Sequence, residues 1–307
     1  MGNMHISLFG KLSIYAADQT MLNLQPRRAE ELLCYLLLYR NRLHEREKLA
    51  TLLWPDLAPS QSKRYLRQLL WQLQSALNHT VQPASHLLHT EHDRLGINQD
   101  AAYQLDIQIF ETAFASVVDQ PGRALCAQQV DQLRQATALY QGDLLEGWYQ
   151  DWCILERDRL QNMYLAMLDK LLSYSEAHCA YEAGLTYGVE ILRYDRAREQ
   201  THRQLMRLYC LAGNRTAALH QFEICTAILR EDLDVEPTAS TVALYQQISN
   251  EQLRPFDERA NLSDLLPTLG HTQTLNTLQQ LEQIQRSLDQ LQAQVSSLLK
   301  NLRQTMG

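Results

Sequence analysis

Residues 63 to 77 read Lys-Arg-Tyr-Leu-Arg-Gln-Leu-Leu-Trp-Gln-Leu-Gln-Ser-Ala-Leu, and helical spacing sorts them into two chemistries. Leu66, Leu69, Leu70, Leu73 and Leu77 recur at three and four residues, the stripe of a helix turned to a core. The opposite side carries Lys63, Arg64, Arg67, Gln68, Trp71 and Gln74, with no carboxylate among them. An α-helix fits the major groove of duplex DNA, where Arg can pair two hydrogen bonds with guanine and Gln two with adenine. Most charge runs are solvated helix faces. The lack of acids, and a Trp where exposure to water would be wasteful, set this run apart and point to double-stranded DNA. Further on, His92 and Arg94 sit at the tip of an expected hairpin, where an arginine can enter a minor groove or touch phosphates. His86, His89 and His92 also suggest a metal. Side chains alternate along a strand, so 86 and 89 point to opposite faces and no metal site is expected.

Catalytic patterns are missing. The sequence holds no GxxxxGK[ST] loop, no GxGxxG, no GxSxG elbow and no HExxH, so neither an enzyme nor a cofactor is expected. Pairs such as Asp143/Glu146 and Asp232/Asp234 read as helix-end charges. The six cysteines, with no CxxC, read as buried thiols of a reducing cytosol, those at 179 and 210 as core residues.

The elements that must position the basic face come from patterning. His5–Gly10, Leu12–Tyr15 and Met21–Leu24 read as short strands. Pro26 opens a helix whose buried face is Leu32, Leu33, Leu36 and Leu37. A second helix spans Glu45–Trp54, and a third is capped by Ser60 or Ser62 and runs to Asn78. His86–Thr90 and Arg94–Asn98 form a hairpin around Glu91–Asp93. Strands, three helices and a terminal hairpin are the order of a winged helix with an N-terminal sheet. From Tyr103 the pattern is helical throughout, as expected of a chain with 11 Gly and 8 Pro in 307 residues. Leu168–Leu192 and Leu205–Leu229 read as two helix pairs. A 34-residue echo, Ala183 and Leu185 against Ala217 and Leu219, has the period of tetratricopeptide repeats.

Charge divides the same way. Residues 1–100 hold 11 Lys/Arg and 9 Asp/Glu, residues 101–307 hold 17 and 26, so only the first segment offers phosphates a favourable surface. The longest apolar run, Leu32–Tyr39, is too short to span a bilayer, and no signal peptide opens the chain. A soluble cytoplasmic protein with no membrane partner is expected. Residues 254–270, with Pro255 and Pro267, read as a linker. Leu281, Ile284, Leu288, Leu291, Val295, Leu298 and Leu302 then repeat at 3-4 spacing, a seam that wants a partner helix. Folding back on the parent is the alternative, but so strict a seam is narrower than such helices show. A homodimer or higher oligomer is expected.

The fold expected is therefore mainly α: an OmpR-like α+β winged helix at 1–100, a TPR-like all-α domain at 101–253, the linker at 254–270 and a coiled-coil helix at 271–307. Leu8-Phe-Gly-Lys, Pro26-Arg-Arg, Leu52-Leu-Trp-Pro-Asp56 and Leu66-Arg-Gln-Leu-Leu-Trp-Gln-Leu73 resemble the winged-helix region of SARP-type (antibiotic-regulatory-protein) bacterial activators. Leu139-Tyr-Gln-Gly-Asp-Leu-Leu-Glu-Gly147, Glu156-Arg157, Arg159-Leu160, His202-Arg-Gln-Leu-Met206, Ala212-Gly213, Ala218-Leu219 and Val235-Glu-Pro237 resemble that family's bacterial transcriptional activation domain. The resemblance implies a sequence-specific DNA-binding regulator that recruits RNA polymerase, through its sigma or alpha subunit, to promoters. It also implies that helix 63–78 reads the major groove and that hairpin 86–98 lies near the minor groove. Gln74 stands where the family commonly has a basic residue, so base preference should differ. The heptad helix replaces the ATPase module of larger members, so no nucleotide-driven switching is expected. The competing class is a protein-interaction scaffold or ligand sensor whose winged helix does not read DNA.

Overall fold

Ten α-helices occupy most of the described residues, as the scarcity of Gly and Pro requires. The computed structural model describes residues 4–16, 18–78 and 87–252. His86, the linker at 254–270 and the heptad seam Leu281–Leu302 lie outside the described residues.

The N-terminal sheet has the order β2-β1-β6. Strand β1 (Met4–Ser7) pairs antiparallel with β2 (Ser13–Tyr15), setting Ile6 against Ile14. The expected third strand, Met21–Leu24, is reduced to a single bridge from Tyr15 to Met21. Its length is the reason: Pro26 has no N–H to donate, and helix α1 (Arg27–Leu38) begins one residue later. The third strand is instead β6 (Tyr103–Leu105), parallel to β1, in a stretch that reads as helical. Three residues are too few to announce a period of two.

Helix α1 buries Leu32, Leu33, Leu36 and Leu37 completely, as its spacing predicts. Strand β3 (His44–Glu45) precedes α2 (Arg46–Leu53), and α3 runs from Pro59 to Asn78. Neither Ser60 nor Ser62 caps α3; both lie inside it, and the Ser62 hydroxyl donates to the Pro59 carbonyl at 3.2 Å. Strands β4 (Leu88–Glu91) and β5 (Arg94–Ile97) form the hairpin, and β3 adds to β5, giving a second sheet of order β3-β5-β4.

Beyond the sheets come α4 (Asp106–Ala115), α5 (Ala127–Leu139), α6 (Asp151–Ala177), α7 (Tyr181–Tyr194), α8 (Glu199–Leu211), α9 (Arg215–Leu233) and α10 (Ala239–Ser249). Each of α6 to α9 packs on the next through a short connection. The buried small residues 34 apart are Gly184 and Ala218, one position after the pair read from the sequence. Close approach explains the glycines. A Cβ on Gly184 would stand 2.8 Å from Leu208 Cδ1, and one on Gly188 would stand 2.5 Å from Leu205 Cδ2. Cys34, Cys153, Cys210 and Cys225 are buried, but Cys126 and Cys179 are exposed, the latter at a turn with φ of 57°. No helix among the described residues is long and apolar enough to cross a membrane.

Candidate nucleic-acid interface

Helix α3 divides as its spacing predicts. Leu66, Leu69, Leu70, Leu73 and Leu77 are buried, and a buried leucine is worth ~1.5–3 kcal/mol, which fixes the roll of the helix. Lys63, Arg64, Arg67, Gln68, Trp71 and Gln74 are consequently all exposed, and Trp71 keeps 70% of its surface in solvent. Tyr65, exposed on the flank, meets Trp54 with ring centroids 5.9 Å apart and planes tilted by 41°, so its ring leans toward the end of α2. The face is not as free of acid as its sequence predicts. Glu47, on α2, reaches the end of the face and pairs with Lys63 at 3.1 Å. A helix read alone cannot reveal the charge its neighbour brings.

The hairpin presents the second part. His92 occupies the two-residue turn with φ of 49°, while Arg94 pairs with Glu91 across the ladder; both His92 and Arg94 are exposed. His89 is exposed on β4. The turn is tied to the helices, because the Arg46 N–H donates to the Asp93 carbonyl at 2.9 Å where β3 runs into α2. Gly96 lets β5 pass the loop before β3; a Cβ there would meet Leu43 Cδ2 at 2.8 Å. His44 is buried in this seam against Tyr35, with its Nε2 3.2 Å from the Tyr39 carbonyl, and burial holds its pKa below the ordinary histidine range. Strand β3 went unread because two residues carry no pattern.

These surfaces sit on a body continuous with the later helices. The buried Asp106 carboxylate accepts from the N–H groups of Leu8 at 2.7 Å and Phe9 at 2.9 Å, and from Ile107 at 2.7 Å. The strand's continuation then pairs with the loop after α5. The Leu145 N–H donates to the Leu8 carbonyl at 2.9 Å, Gly10 to Asp143 at 2.8 Å, and Glu146 to Gly10 at 2.7 Å. Arg157 on α6 holds that loop by donating to the carbonyls of Leu144, Leu145 and Trp148 at 2.9 to 3.1 Å. Arg27 at the start of α1 lies 5.3 Å from the Trp148 ring centre. On another side Glu111 of α4 bridges the buried Arg40 and Arg159 of α6, the second at 2.6 Å. The motif 139–147, held by Arg157, is thus a joint between the N-terminal sheet and the helices, and Arg159 ties α6 through Glu111 to Arg40 after α1. A concavity of about 480 Å³ lies elsewhere, lined by Tyr103, Gln108, Thr112, Gln132 and Gln135 among others. Its neutral lining offers nothing to phosphate.

Residues 105–249 match the family model described as the bacterial transcriptional activator domain. The chain also resembles a solved structure, Mycobacterium tuberculosis EmbR in complex with a low affinity phosphopeptide. That likeness has a TM-score of 0.62 at 20% identity, and covers 84% of this chain and 67% of that one. No curated protein matches the chain. The domain match and the shared fold agree with the resemblance to SARP-type activators that the motifs carry.

Proposed function

We propose that this chain, whose residues 105–249 match the bacterial transcriptional activator domain, is an activator that binds promoter DNA sequence-specifically through its winged helix. The exposed face of α3 carries the reading: Arg64, Arg67, Gln68, Trp71 and Gln74 are set outward by a leucine stripe that cannot turn. The groove would receive α3, and the turn with His92 and Arg94 would lie against the neighbouring backbone or minor groove. Ion pairing with Glu47 leaves Lys63 a weaker share. The hairpins from α6 to α10 form, in this reading, a TPR-like stack that presents RNA polymerase with a surface at a fixed distance from the DNA. The heptad at 271–307 joins two such chains, and the protein works in the bacterial cytoplasm on the nucleoid.

A gel-shift titration across salt on genomic promoter fragments tests this. Counterion release requires log affinity to fall linearly with log salt, with a slope of about −0.9 per phosphate neutralised. Affinity independent of salt, or no retained fragment, would replace this reading with a protein-interaction scaffold.

A further inference from the structure

Position along α3 orders the chemistry. The helix rises about 1.5 Å per residue, so Arg64, Arg67, Gln68, Trp71 and Gln74 lie at roughly 0, 4.5, 6, 10.5 and 15 Å along its axis. At about 100° per residue they fall within one arc of roughly 120°, opposite the buried leucines. Lys63 lies outside that arc, and its ammonium is engaged by Glu47. Tyr65 lies beyond the other edge, toward Trp54. The residues of this arc are therefore two guanidinium groups at the N-terminal end, then an amide, an indole and a second amide.

We infer that α3 reads an asymmetric half-site, with guanines under Arg64 and Arg67 and A·T pairs under Trp71 and Gln74. This rests on the DNA-binding reading above. The fork of an arginine matches guanine O6 and N7, an amide matches adenine N6 and N7, and an apolar surface suits the thymine methyl. At about 3.4 Å per base pair, the 15 Å from Arg64 to Gln74 covers four to five pairs, so the two ends read different bases. Gln68, between them, reads an adenine next to the guanines. Substituting any of these exposed residues leaves the buried stripe untouched, so each reports on DNA and not on folding.

The test selects binders from a randomised duplex pool with the full-length chain and with Arg64→Gln, Arg67→Gln, Trp71→Ala and Gln74→Arg. The parent should enrich a motif with guanine at one end and A·T at the other, each Arg-read guanine favoured by roughly 5- to 150-fold. Each Arg→Gln variant should lose that preference at one position only. Trp71→Ala should relax the A·T end alone, and Gln74→Arg should create a guanine there, several pairs from those read by Arg64. Variants that lose affinity evenly over all sequences would overturn the inference and make these arginines phosphate contacts. So would Gln74→Arg changing the base that Arg64→Gln changes. A parent that retains no DNA would instead overturn the reading on which this rests.

Discussion

Asp106 is where the N-terminal sheet and the helices share one charge, and removing it measures that joint. In Asp106→Ala the N–H groups of Leu8 and Phe9 lose their acceptor, and both residues are at most 5% exposed. A buried donor without a partner costs about 1–3 kcal/mol, so two cost ~2–6 kcal/mol. The Ile107 bond spans adjacent residues and adds little. Asp106→Asn separates charge from acceptor. Oδ2 takes both long-range bonds, so an amide oxygen turned to that place keeps them and gives up only the bond to Ile107. Burial raises the Asp106 carboxyl above its ordinary value, outweighing the backbone donors that lower it, so the neutral amide also escapes a desolvation cost. Asn should therefore cost less than about 1 kcal/mol, since the bond it gives up is worth less than an ordinary one. Urea unfolding followed by far-ultraviolet circular dichroism reads both. With a slope of ~3 kcal/mol per molar, Ala should lower the midpoint by roughly 1–2 M and Asn by less than about 0.5 M. An Ala midpoint equal to the parent's would refute the claim that these bonds hold strand β1 in place. Equal losses in Ala and Asn would show that charge, not the acceptor, is what matters.

Arg64→Ala and Arg67→Ala should each weaken specific DNA binding by ~1–3 kcal/mol with an unchanged unfolding midpoint; two variants that bind an established operator as the parent does would clear α3 of base contact. Gly188→Ala places a Cβ 2.5 Å from Leu205 Cδ2, and should destabilise the chain by ~1–3 kcal/mol, seen in thermal melts. His202 is buried; its Nε2 bonds the Arg196 carbonyl at 2.8 Å and its Nδ1 the Gln221 amide at 2.6 Å, and burial lowers its pKa. Because the folded state then binds the proton less readily than the unfolded state, its stability contribution is present above about pH 6.5 and lost as pH falls below it. His202→Gln should flatten, in part, the acid-side loss of stability that His44 shares; an unchanged slope would show that protonation of His202 is not what destabilises the fold. Leu288→Asp with Leu291→Asp, by placing two charges in the heptad seam, should lower the mass seen by light scattering, and a mass equal to the parent's would reassign that helix.

Much of the fold was legible because helices longer than about ten residues repeat their period often enough to be read. α1, α3 and the pairs from α6 to α9 follow the leucine spacing, and the six α3 residues named for DNA are exposed as that spacing requires. What escaped the sequence is short or relational. Strands β3 and β6 have two and three residues, and each is defined by the partner it finds. Glu47 beside Lys63 and Asp106 beside Leu8 are pairs brought together across the fold, the second spanning 98 positions. Their only sequence trace is a carboxylate: Asp106 at the start of a helix looks like an ordinary end charge.

The relational contacts also explain the family motifs better than a surface role would. Leu139–Gly147 contains the backbone that strand β1's continuation pairs with, and Arg157 is spent on that loop's carbonyls rather than on solvent. Glu111 answers Arg40 from the N-terminal side and Arg159 from α6, so the two arginines share one acid. Met1–Leu253 accordingly forms one compact unit, with α3 on the same body as the activator helices. A partner bound to α6–α10 would then be carried at a fixed offset from whatever α3 grips. In the proposed reading, that offset is what recruitment needs, since geometry alone would transmit the contact between the two surfaces.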